Sequence, residues 1–244
     1  MRVFGESETL PTGQGGDVTV SSDHTSSAPR RTLRLRRESW GFVIGSFLFG
    51  MAATRVYGQA VGPEIDNITY FVGSLFFTTA GFIQLRLSGR PVPGEESATV
   101  ERYDWWAALI QFVGTLLFNV STGVVLIQSL TVEQDRVWGW RPDLFGSTAF
   151  LVASGLAVVA TTETDKLWDP HARNWRSTWL NMIGSIAFGV SAVGAYIVPG
   201  TDALKNATIA DLGTFVGAVC FLVAALLMRP PHPRYSPNQA RTRS

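Results

Sequence analysis

Six long apolar stretches divide the chain, at about 40–57, 66–86, 105–129, 144–162, 178–198 and 208–228. Each has the length an α-helix needs to cross roughly 30 Å of hydrocarbon. No Asp, Glu, Lys, Arg or His stands at the centre of any of them. Arg55, Asp66, Arg86, Asp104, Asp143 and Asp211 fall at the edges, where a bilayer offers water or headgroups. A water-soluble helical bundle would show a polar face in each run, whereas these runs are apolar or small all round. The pattern predicts an all-α membrane protein, a six-transmembrane-helix bundle over residues 40–228.

The flanks orient that bundle. Residues 1–39 are rich in Gly, Ser, Thr and Pro and show no helical periodicity, so they read as a disordered tail. Their start lacks an apolar core of the signal-peptide kind, and no cleavable leader is expected. Arg30, Arg31, Arg34, Arg36 and Arg37 form a basic cluster just before the first apolar run, and residues 229–244 make a second tail. With the N-terminus inside, the cytoplasmic parts hold Arg2, that cluster, Arg86, Arg90, Arg102, Lys166, Arg173, Arg176, Arg229, Arg234, Arg241 and Arg243. Only Arg55, Arg136, Arg141 and Lys205 fall on the other side. This asymmetry follows the positive-inside rule and puts both termini in the cytoplasm. All eight tryptophans (Trp40, Trp105, Trp106, Trp138, Trp140, Trp168, Trp175 and Trp179) lie at or near segment ends, where amphipathic rings sit at headgroup level. Pro142, Pro199 and the run Pro230, Pro231 and Pro233 punctuate the ends of segments.

A five-position repeat recurs in every segment. A Gly is followed directly by a small residue, then by Phe four positions after the Gly, then by two small residues at seven and eight. The glycines are Gly45, Gly73, Gly114, Gly146, Gly184 and Gly217, and the phenylalanines are Phe49, Phe77, Phe118, Phe150, Phe188 and Phe221. These offsets fall on one face of a helix. Apolar burial does not drive helices together in lipid; close backbone approach at small residues and interhelical hydrogen bonds do. The face therefore reads as a packing seam, with GxxxG pairs at Gly41/Gly45 and Gly213/Gly217 reinforcing it. The alternative is a pore lining, and a Phe at a fixed place in every helix argues against conduction. Recurrence in all six segments implies multiplication of an ancestral helix or hairpin. The runs at 70–85 (YFVGSLFFTTAGFIQL) and 181–197 (NMIGSIAFGVSAVGAYI) resemble the YrhK-like domain, a small bacterial helical-hairpin membrane module. The resemblance implies repeated hairpins in the plasma (inner) membrane of a bacterium. It implies no activity, cofactor or catalytic residue.

Composition narrows the chemistry. Charged residues make up 16% and the formal net charge is +1, so no nucleic-acid partner is indicated. The single Cys220 allows no internal disulfide and reads as a small buried hydrophobe. His24, His171 and His232 lie outside the apolar segments and lack metal-site spacing. No GxSxG elbow, P-loop or dinucleotide fingerprint is present. Ser191 weakly echoes an intramembrane serine-protease site, but no histidine stands at that depth to act as its base. No catalytic, cofactor-binding or metal residue is assigned, and the chain is expected not to be an enzyme.

No midplane charge points to ion-coupled transport. The best intramembrane polar candidate is Asn119, as an interhelical hydrogen bond or as a solute contact; Gln111 and Asn181 lie nearer helix ends. The loop 163–177, rich in charge and Trp, reads as a solvated interfacial loop, with docking of a cytoplasmic partner as the alternative. The basic cluster at 30–37 can hold anionic headgroups. Three functions remain: assembly or interaction with lipid, a further copy or another membrane protein; transport of an uncharged or weakly charged solute; and, without any motif, a membrane enzyme.

Overall fold

The computed structural model describes residues 27–88, 94, 99–127, 130–164, 168–201 and 203–229. Regular structure among them is helical, apart from an isolated antiparallel bridge between Ile197 and Leu204. The helices are α1 (Ser27–Ala52), α2 (Arg55–Val61), α3 (Pro63–Leu87), α4 (Thr99–Val124), a single turn α5 (Val132–Gln134), a π-helical stretch (Asp135–Trp140), α6 (Arg141–Thr164), α7 (Arg173–Gly194) and α8 (Ala207–Met228).

Four helical stretches are long and apolar enough to cross a membrane: Pro63–Leu87, Thr99–Val124, Val132–Thr162 and Ala207–Met228. A fifth is added if Arg37–Ala52 and Arg55–Val61, which meet at an 80° bend, count as one broken span. The helix Arg173–Gly194 lacks the apolar composition, because Arg173, Asn174, Arg176 and Asn181 and its serines lower the average.

Several boundaries differ from the expectation. The first helix begins at Ser27, so residues 27–39, read as irregular tail, are helical; Arg and Leu are good helix formers and extend the apolar segment backward. Residues 1–26 and 230–244 lie outside the described residues. The segment expected at 40–57 bends after Ala52. Thr54 caps α2 by accepting the Tyr57 N–H, and Gly62 at φ 84°, a value open to Gly, turns the chain into Pro63 at the start of α3. The third helix covers Thr99–Val124 rather than 105–129, and the fifth ends at Gly194 rather than 198. Pro142 lies inside α6 rather than before it. It has no N–H to donate, and the wider π turn before it, where the Arg141 N–H reaches the Arg136 carbonyl, accommodates its ring.

The long helices pair as three antiparallel hairpins, α1/α3, α4/α6 and α7/α8, and the hairpins close into a ring. Hydroxyls stitch the seams between hairpins. Ser74 and Thr122 lie 3.0 Å apart between α3 and α4, and Ser154 and Ser185 lie 2.8 Å apart between α6 and α7. The ring closes between α1 and α8 through Ser39 donating to the Ala225 carbonyl (2.8 Å) at one end, and at the other Arg55, at the start of α2, donates to Thr208 of α8 (2.6 Å). The interior combines buried phenylalanines and alanines with small hydroxyls, Ser46, Ser74, Thr115, Ser147 and Ser185 being nearly inaccessible, while aliphatic and aromatic side chains such as Phe47, Ile186, Val216 and Leu226 are exposed on the perimeter. Small residues inside and an apolar perimeter suit a protein embedded in lipid.

Candidate functional site

The repeat glycines bring the two helices of each hairpin into backbone contact. A Cβ built on Gly45 would lie 3.0 Å from the Gly73 carbonyl oxygen. On Gly114 it would lie 3.1 Å from the oxygen of Gly146, and on Gly217 3.1 Å from that of Gly184. Over each glycine lies the repeat Phe of the partner helix: Phe77 on Gly45 and Phe49 on Gly73, Phe150 on Gly114 and Phe118 on Gly146, Phe221 on Gly184 and Phe188 on Gly217. The exchange is reciprocal in all three hairpins, so each hairpin carries a local two-fold.

The six rings meet on the bundle axis in two layers. Phe49, Phe118 and Phe188 form one triangle, with centroids 6.1, 6.4 and 6.0 Å apart. Phe77, Phe150 and Phe221 form the other, at 6.4, 6.2 and 5.6 Å. Within hairpins the rings lie 5.1–5.6 Å apart, inside the range of favourable edge-to-face and tilted packing. Each ring is at most 4% exposed, so the axis is closed by aromatic carbon.

A cavity of about 390 Å³ opens between the N-terminal halves of α1, α4 and α7 and the C-terminal halves of α3, α6 and α8. Its floor includes Phe221. Two carboxylates line it, Glu38 of α1 and Asp104 of α4, together with the amides of Gln84, Gln111, Asn174 and Asn181 and the hydroxyls of Ser39, Ser177 and Thr178. The Gln84 Oε1 is buried and finds no hydrogen-bond partner among the described residues. Three arginines of these helix ends turn elsewhere. Arg173 donates to the carbonyls of Leu227 and Arg229, the Arg229 guanidinium lies 4.3 Å from the Trp40 ring centre, and that of Arg86 lies 4.6 Å from the Phe82 ring centre.

Asn119 stands apart from this cavity. Its Oδ1 is buried without a hydrogen-bond partner among the described residues. The hydroxyls of Ser46 and Ser147, both on the repeat face, are likewise buried and unpartnered. Cys220 is half-buried, its Cβ 3.1 Å from the position of a Cβ on Gly184. Ser191 donates to the Ala210 carbonyl and lies 2.7 Å from the Thr214 hydroxyl, a structural placement. Among the described residues, no group of three or more His, Cys, Asp or Glu is arranged to hold a metal ion. In the loop before α7, Asp169 accepts the N–H groups of His171 and Ala172, and Trp168, 75% exposed, packs edge-on against Trp175. No protein-family model matches the chain, and no curated protein or solved structure does.

The cavity was not assembled from the sequence. In the sequence Gln111 and Asn181 are legible only as polar residues nearer helix ends. Both stand one helical turn before their repeat glycines, while Glu38 stands two turns before Gly45 and Gln84 three turns after Gly73. Extending the packing face of each helix past its repeat would have gathered these side chains around one axis.

Proposed function

We propose that the protein is a non-conducting membrane module of three helical hairpins that crosses the bilayer six times, with both termini cytoplasmic, and that works by assembly with lipid or with other membrane components rather than by catalysis. The observation that carries this reading is the double triangle of phenylalanines on the axis. A closed aromatic plug at mid-height excludes a standing water path, and packing of this quality suits a rigid scaffold. Six crossings are supported by the place of α7 in the ring. Its polar residues Ser177, Ser185 and Ser191 are buried inside, while Ile183, Ile186, Val190 and Val193 are each about half exposed on its outer side. A composition average mixes the two faces and understates how apolar its lipid-facing side is.

The basic residues of α1 support contact with anionic headgroups on the cytoplasmic side. Arg30, Arg34 and Arg37 recur at the spacing of one helix face, and Arg37 is exposed. The resemblance of the hairpins to the YrhK-like domain supports placing the module in a bacterial plasma membrane. Solute transport is the second reading, favoured by the cavity on one side of the plug. It requires the Phe layers to part. Reconstitution into liposomes loaded with an ion-sensitive or solute-sensitive dye separates the two. Retained gradients fit the scaffold, and protein-dependent flux contradicts it.

A further inference from the structure

We propose that the axial cavity is a binding site for a small organic cation bearing a primary ammonium group, a short alkyl diamine being the best-matched form. The volume of about 390 Å³ falls in the range of small-molecule sites. Its lining sets two carboxyl groups and four side-chain amides among the apolar side chains of Phe42, Phe221 and four alanines. Glu38 and Asp104 give the lining two carboxyl groups, no Lys or Arg lines it among the described residues, and Arg173, Arg229 and Arg86 are held by backbone carbonyls or aromatic rings. A carboxylate facing an enclosed space is relieved by a cation. The Gln84 Oε1 is itself occluded and has no hydrogen-bond partner among the described residues.

The donor count chooses between cations. An ammonium offers three N–H donors and no acceptor, which the carboxylates and the amide oxygens of Gln111 and Asn181 can accept. A metal ion would ask for a tighter cluster of ligating side chains than the described residues provide. The chemistry goes beyond the scaffold reading and does not depend on it, because Phe221 at the floor makes the cavity a place to bind rather than a passage. The ammonium can come from a free amine or from an ethanolamine lipid headgroup.

The test is titration calorimetry on the full chain in phosphatidylcholine nanodiscs with 1,4-diaminobutane, with 1,4-butanediol as the uncharged match. Thermal stability is compared in parallel in phosphatidylcholine and phosphatidylethanolamine nanodiscs. Saturable binding of the diamine and none of the diol is the expected result, with binding weakened about tenfold or more by Glu38→Gln and by Asp104→Asn, as loss of a charge-assisted hydrogen bond implies. Glu101→Gln, an exposed acid of α4 outside the cavity, is expected to bind as the parent does. Stabilisation by phosphatidylethanolamine that Glu38→Gln removes, without diamine binding, assigns the ammonium to a headgroup. Melting curves of the variants establish that they fold. Equal binding of diol and diamine, insensitivity to both carboxamide variants, or no response to amine in either form overturns the proposal. Flux in liposomes would overturn the scaffold reading while leaving this result intact.

Discussion

A methyl group placed on Gly184 would lie 2.7 Å from the ring of Phe221, on the helix that runs back beside it. The reverse relationship holds between Gly217 and Phe188, and both recur in the other hairpins. The spacing between helices is thus set by the absence of a side chain on one helix and the presence of a ring on the next.

Overpacking this contact has a definite expected outcome. Gly184→Ala and Gly114→Ala should each destabilise the purified protein by about 1–3 kcal/mol, since a rigid ring, and for Gly114 the Gly146 carbonyl as well, must move. Gly189→Ala, where nothing lies within 4 Å, should not lower melting, since a helix interior favours Ala over Gly. Equal melting of all three would dissociate the repeat from packing.

Removing a ring tests the plug. Phe150 is 2% exposed and touches rings from every hairpin. Phe150→Ala is expected to lower stability by about 3–5 kcal/mol, the usual loss for a buried aromatic. Denaturation in a mixed-detergent titration reads it directly, and a loss under 1 kcal/mol would mean the rings are not close-packed.

The interhelical hydroxyls divide into two kinds. Ser154 and Ser185 share a hydrogen bond of 2.8 Å between hairpins, whereas the Ser46 hydroxyl has no partner among the described residues. Ser185→Ala should cost about 0.6 kcal/mol, as for other intramembrane hydrogen bonds. Ser46→Ala should be neutral or stabilising, because it removes an unsatisfied buried polar group. A double-mutant cycle on Ser154 and Ser185 isolates the pair.

Asn119 belongs with the unpartnered group. Since its Oδ1 accepts no hydrogen bond among the described residues, Asn119→Leu is expected to melt no lower than the parent. A clear drop would reveal a hydrogen bond of the amide that sets the packing of α4.

The repeat face was readable because its five positions share one side of a helix and residue size alone defines it. Which helices pair was not readable, since six nearly identical faces leave many pairings equal; the reciprocal fit of Phe49 with Gly73 and Phe77 with Gly45 appears only in three dimensions. The early start of α1 was hidden by the Ser- and Arg-rich composition before Trp40. The cavity was hidden because Glu38, Gln84, Asp104 and Asn174 lie far apart in the chain near helix ends, where polar residues are expected at a membrane surface.

The number and direction of crossings are the centre of this account, and α7 is where they are decided. The most direct measurement is labelling with a membrane-impermeant thiol reagent in oriented vesicles, using a Cys220→Ser background and single cysteines at Gly94, His171, Gly62, Thr131 and Thr201. Three hairpins crossing six times predict that Gly94 and His171 label from one side and Gly62, Thr131 and Thr201 from the other. Labelling of His171 and Thr201 from the same side would show that α7 does not cross and would contradict the account.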